Sequence, residues 1–113
     1  MSNDRLKNIG MAYISEMYTI HLEKTVTKAV NTILKKAFEE SALNNPTPFC
    51  MIDLRYLEPF HLPYNNYPAT LRFLEPYTNE RLYNDLYTSL KAKFPESVVT
   101  LDPLFLYIKV EWS

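Results

Sequence analysis

From Asp4 to about Ala42 the chain has no proline, and its apolar residues recur at steps of three and four, the spacing of a helix. Asn44-Asn45-Pro46-Thr47-Pro48 then ends the pattern. A straight helix of this size would run ~55 Å at about 1.5 Å per residue. A domain of 113 residues has a radius of gyration of only ~13 Å. Such a rod must project from the body or break.

The helical wheel places Leu6, Ile9, Tyr13, Met17 and Ile20 on one side. Leu22, Val26, Ala29, Ile33 and Ala37 fall on nearly the opposite side. Supercoil drift of ~20° per heptad is too small to produce this reversal, so the stripe is expected to change face near Thr19–Leu22. Thr19, Thr25, Val26 and Thr27 are β-branched and weaken the helix there. A broken helix pair and one continuous helix both remain open. Either way the first stripe needs a cover: another helix of the same chain, a second copy, or a partner groove taking Leu6, Ile9, Tyr13 and Met17 as anchors.

Phe49–Leu57 and Ala69–Glu75 are short, densely apolar and strand-like. Thr78 is a good N-cap for a helix over Asn79–Lys93, with Leu82, Leu86 and Leu90 on its core face and Tyr83, Tyr87 and Phe94 widening it. Lys91 and Lys93 suit its C-terminal dipole, and Phe94-Pro95 stops it. Val98–Leu101 is a further strand, followed by Asp102-Pro103 as a turn or bulge. In the tail, Leu104, Leu106, Ile108, Val110 and Trp112 alternate with Phe105, Tyr107, Lys109 and Glu111, which points the first set at the core. The expected fold is therefore a single α+β domain over residues 1–113. An N-terminal helix or broken helix pair (4–42) precedes a ββαββ region (49–112), whose mostly antiparallel sheet is covered on one face by helices.

One seven-residue segment occurs twice. Leu54-Arg55-Tyr56-Leu57-Glu58-Pro59-Phe60 returns as Leu71-Arg72-Phe73-Leu74-Glu75-Pro76-Tyr77, with five positions identical and two aromatics exchanged. Two copies are too few for a stacked array, and a hairpin of similar strands explains them better. An antiparallel register pairing Arg55 with Glu75 and Arg72 with Glu58 satisfies both charges, each pair contributing only ~0.2–1 kcal/mol. Between the copies lies Pro63-Tyr64-Asn65-Asn66-Tyr67-Pro68, whose Asn-Asn suits a type I′ turn one residue out of that register. Irregular structure is expected over about 59–69.

Composition removes several classes of function. The single glycine, Gly10, cannot build a Gly-rich phosphate loop. A net charge of −1 selects for neither nucleic acid nor membrane, and no run approaches the ~18 apolar residues of a membrane span. Met1-Ser2-Asn3-Asp4-Arg5 leads into the helical pattern rather than a signal-peptide apolar region, so a soluble, cytoplasmic protein is expected. Cys50 is the only cysteine and reads as a small buried hydrophobe within Phe49-Cys50-Met51-Ile52.

Four sets of residues are candidates for function. Tyr64, Asn65, Asn66 and Tyr67, with His61 nearby, form an aromatic, hydrogen-bonding loop suited to recognition. Phe105 and Tyr107 face outward on the last strand, whose edge could accept a partner strand. Lys24, Lys28, Asn31 and Lys35 share a stripe that could touch phosphates beside exposed tyrosines, although Glu23, Glu39 and Glu40 lie close by. Asp53, Arg55, Glu58 and His61 offer a carboxylate–histidine pair, but no nucleophile, oxyanion donors or pocket accompany it. His21 and His61 alone make a weak metal site. The resulting expectation is a non-catalytic interaction or assembly protein without cofactor or metal, self-associating as a homodimer through Leu6–Ile20. The alternative is a nucleic-acid-associated accessory factor using Lys24, Lys28 and Lys35.

Overall fold

The computed structural model describes residues 2–44, 46–60 and 78–112, with side chains from Asn8 onward. The helical pattern forms one unbroken helix, α1 (Ser2–Ser41). Strand β1 (Phe49–Asp53) follows and runs into a 3₁₀ turn at Leu54–Tyr56. Helix α2 (Asn79–Lys93), β2 (Val98–Leu101) and β3 (Tyr107–Glu111) complete the described elements. α1 runs unbroken through its threonines, of which Thr19, Thr25, Thr27 and Thr32 each donate their hydroxyl to a carbonyl four residues back. That geometry keeps a β-branched hydroxyl within the helix. The radius of gyration is 17.6 Å and the long dimension 65 Å, so the rod projects.

The fold is α+β, with two helices over one face of an antiparallel sheet of order β1-β3-β2. The strand count and order differ from the expected ββαββ. Among the described residues there are three strands, and Ala69–Glu75 lies outside them. The first strand is also shorter than expected. Asp53 accepts the Arg55 backbone N–H at 3.0 Å and caps the 3₁₀ turn. Arg55 closes two further bonds to the same carboxylate, at 3.0 and 2.7 Å. The anticipated ladder through Leu54–Leu57 is thus replaced by a local turn, while Arg72 and Glu75 lie outside the described residues.

β3 pairs with β1 through Cys50↔Val110 and Ile52↔Ile108, and with β2 through Val99↔Val110 and Leu101↔Ile108. Cys50, Ile52, Val99, Ile108 and Val110 point inward, where they meet Leu86 and Leu90 of α2 and Ala29 and Ile33 of α1. The period-two reading holds for Ile108 and Val110 and fails before them. Asp102 accepts the Phe105 N–H on its carbonyl (2.9 Å) and the Leu106 N–H on its carboxylate (3.1 Å). Pro103 has no N–H for a ladder. A turn therefore occupies 102–106, with Phe105 at φ 56°, and the alternation starts only after it. Leu104 and Leu106 are exposed, and Phe105 turns in against the core, 5.9 Å from the Tyr83 ring.

This arrangement corrects the reading of the last strand as an exposed docking edge. β3 is the central strand and both its edges are taken, while Phe105 packs inward instead of facing out. Tyr107 is half-buried.

Helix α2 matches its sequence signals closely. Thr78 Oγ1 accepts the Arg81 N–H at 3.2 Å, Leu82, Leu86 and Leu90 are fully buried, and the Phe94 N–H closes the helix on Leu90.

Candidate functional site

Where α1 meets the body, one face is buried along its length. Ile14, Tyr18, Thr25, Ala29 and Ile33 are buried, with Leu22 and Val26 partly so. This stripe runs at steps of three and four without changing face, so the expected reversal near Thr19–Leu22 does not occur. What the wheel recorded is two apolar stripes on opposite sides of one helix.

The second stripe is left uncovered. Ile9, Tyr13, Met17 and Ile20 are 38–56% exposed, on the side away from the sheet and α2. The side chain of Leu6 is outside the described residues. The exposed line continues to Leu34 and, at 79% exposed, Phe38, neither of which was singled out from sequence. Their signal was there: Tyr13, Ile20 and Leu34 fall on one seven-residue repeat, and Met17 and Phe38 on another.

The basic stripe lies on this same face. Lys24, Lys28, Asn31 and Lys35 are all exposed. Lys35 Nζ stands 4.0 Å from Glu39, and Glu23 is exposed among the lysines. Beside the stripe, His21, Lys24, Thr25 and Lys28 border a cavity of about 160 Å³ closed by Tyr56, Leu57 and Glu58. The His21 imidazole donates Nε2–H to the Glu58 carbonyl at 2.9 Å, which fixes α1 to the segment after β1.

A polar junction between the helices was missed in the sequence. The Tyr18 phenol donates to Asp85 Oδ2 at 2.5 Å, and Arg81 Nε lies 3.6 Å from the same oxygen. The Arg81 guanidinium sits over the Tyr18 ring at 5.1 Å, and Phe60 meets that ring edge-on at 5.4 Å. Burial, together with the Asp85 carboxylate, raises the Tyr18 phenol well above the ordinary tyrosine range. Tyr18 continues the Ile14-to-Ile33 spacing, which was the available clue.

Asp53 and Arg55 are joined to each other, Glu58 is exposed, and His61 lies outside the described residues. Tyr64, Asn65, Asn66 and Tyr67 lie outside them as well. Among the described residues no three His, Cys, Asp or Glu side chains gather to hold a metal, and no helix is long and apolar enough to cross a membrane. No family model, curated protein or solved structure matches the chain.

Proposed function

We propose that this chain is a small, non-catalytic interaction or assembly protein that associates with itself through the outer face of α1. One observation carries the reading. Four large apolar side chains, Ile9, Tyr13, Met17 and Ile20, stand exposed on the side of α1 opposite the core. Contiguous apolar surface of this kind marks interaction sites in soluble proteins. Covering each half-exposed side chain would contribute on the order of 1 kcal/mol. The elongated shape adds support, because the long dimension of 65 Å presents this face along a 40-residue helix.

Light scattering on the full chain across a concentration series tests this. A dimer that the double variant Met17→Glu/Ile20→Glu converts to monomer supports the reading, provided circular dichroism shows the helix content retained. A wild-type chain that stays monomeric at high concentration overturns it.

A second reading, a nucleic-acid-associated accessory factor, is favoured by the exposure of Lys24, Lys28 and Lys35 along one face. Against it stand Glu23 and Glu39 among those lysines and the net charge of −1. Oligonucleotide binding that weakens with salt and is lost in Lys24→Ala/Lys28→Ala/Lys35→Ala would favour it instead.

A further inference from the structure

The outer face of α1 has the spacing of a coiled-coil seam. Tyr13, Met17, Ile20, Lys24, Thr27, Asn31, Leu34 and Phe38 follow one another at alternating steps of four and three, and all eight are exposed. Apolar residues occupy both ends, and Lys24, Thr27 and Asn31 form a polar centre. The sheet and α2 pack on the opposite side of the helix, and among the described residues Tyr56–Glu58 come alongside the seam at Lys24.

The residues flanking the seam specify what would fit it. Exposed Glu16 and Glu23 border one side, seven residues apart. His21 and Lys28 border the other, also seven apart. In a parallel pair of such helices, a residue on the first flank meets the residue five positions later on the second flank of its neighbour. Glu23 of one copy then faces Lys28 of the other, twice; His21, opposite Glu16, stays held by its own chain's Glu58 carbonyl. An antiparallel pair sets like flanks together and brings His21 against Lys28.

The polar centre agrees with the parallel choice. Asn31 would meet its own equivalent, the arrangement that sets register in parallel two-stranded coiled coils, at a cost in stability. In the antiparallel alternative that matches the apolar ends, Asn31 faces Ile20 and loses a polar partner. Lys24 is long enough to carry its ammonium out of the seam toward the neighbour's Glu23.

We infer that the occupant of this face is a second copy of the chain, packed parallel and in register along Tyr13–Phe38, with its body on the far outer side. This rests on the self-association reading above. It adds orientation, register and the extension of the contact to Leu34 and Phe38.

Same-residue cross-linking under a glutathione redox buffer tests it. Tyr13→Cys and Leu34→Cys are separate variants at exposed positions about 31 Å apart along the helix, at about 1.5 Å per residue. Both should close homodimeric disulfides, while Ser15→Cys, off the seam, should not. Glu23→Lys should weaken dimerisation about tenfold through the loss of two ion pairs. Adding Lys28→Glu should restore it, since the charges are then exchanged across the same contacts.

A light-scattering dimer in which neither Tyr13→Cys nor Leu34→Cys cross-links alone, or in which Tyr13→Cys links only to Phe38→Cys when the two are mixed, overturns the parallel arrangement and leaves self-association standing. Failure of Lys28→Glu to rescue Glu23→Lys also overturns it. A monomeric chain removes both.

Discussion

The Tyr18 hydroxyl and the Asp85 carboxylate share a 2.5 Å hydrogen bond that ties α1 to α2 across 67 residues of sequence. Tyr18 is only 4% exposed, and no water competes strongly for the phenol. Asp85 also faces Arg81, so it keeps a cationic neighbour if the phenol is lost. Tyr18→Phe should therefore destabilise the fold by about 1.5–2 kcal/mol, the lower part of the range for a bond to a charged group. Urea denaturation measures this, and an unchanged midpoint would show that the bond contributes nothing net.

The same pair sets an alkaline dependence. Burial first, and the neighbouring carboxylate second, keep the Tyr18 phenol protonated in the folded chain above its ordinary range. The folded state holds a proton that the unfolded state releases from pH ~10 upward. The contribution is thus complete below pH ~10 and declines as pH rises further. Stability should fall less steeply above that pH in Tyr18→Phe than in wild type; parallel curves would contradict the assignment.

Glu40 gives the opposite sign. It accepts the Lys36 ammonium and the Thr47 backbone N–H, each at 2.8 Å, linking the end of α1 to the approach to β1. The Lys36 hydrogen bond, followed by that of Thr47, holds its carboxyl below the ordinary value. Its stabilisation is present above the unfolded pKa of ~4.3 and is lost as pH falls through the lower folded value. Glu40→Gln should melt below wild type at pH 7, and the gap should close toward pH 3. A gap that persists unchanged in acid would assign the effect to packing.

Two leucines contrast the interior and the turn. Leu90 is fully buried between α2 and the sheet, whereas Leu104 is 76% exposed. Leu90→Ala should cost about 2–5 kcal/mol, and Leu104→Ala should stay within about 0.5 kcal/mol. Comparable losses would return Leu104 to the core position that strict alternation implied.

Cys50 provides a probe of the interior. Its thiol is pushed up by burial, and it lies in the inward-facing row beside Val110. A thiol reagent at pH 8 should modify it only as opening exposes it, orders of magnitude more slowly than in urea. Equal rates in both states would place Cys50 outside the core.

Much of this architecture was readable locally. Thr78, Leu82, Leu86, Leu90 and Lys93 announced α2 because a cap, a 3.6-residue period and a dipole-compatible end need only neighbours in sequence. Ile108 and Val110 were legible for the same kind of reason. The 3₁₀ turn at Leu54 was harder, since large apolar residues continue past Asp53 and Arg55 as far as Leu57. Only the cap that Asp53 places on Arg55 ends the strand early. At the outer face of α1, the sequence named Ile9, Tyr13, Met17 and Ile20 as residues needing a cover, but not the continuation to Leu34 and Phe38.

Local chemistry decided that the first forty residues are helical, where the helix stops, and that apolar side chains lie on two sides, but left open whether it runs unbroken. Tertiary structure decided which side the body uses. Leu86, Leu90 and the inward row of β1, β3 and β2 cover Ala29 and Ile33, leaving Tyr13 and Ile20 open. It also placed β3 between β1 and β2, removing the free edge expected at Tyr107. Both outcomes depend on groups brought together from distant parts of the chain. Two stripes of similar hydrophobicity on one helix carry no local signal to say which of them the rest of the chain will cover.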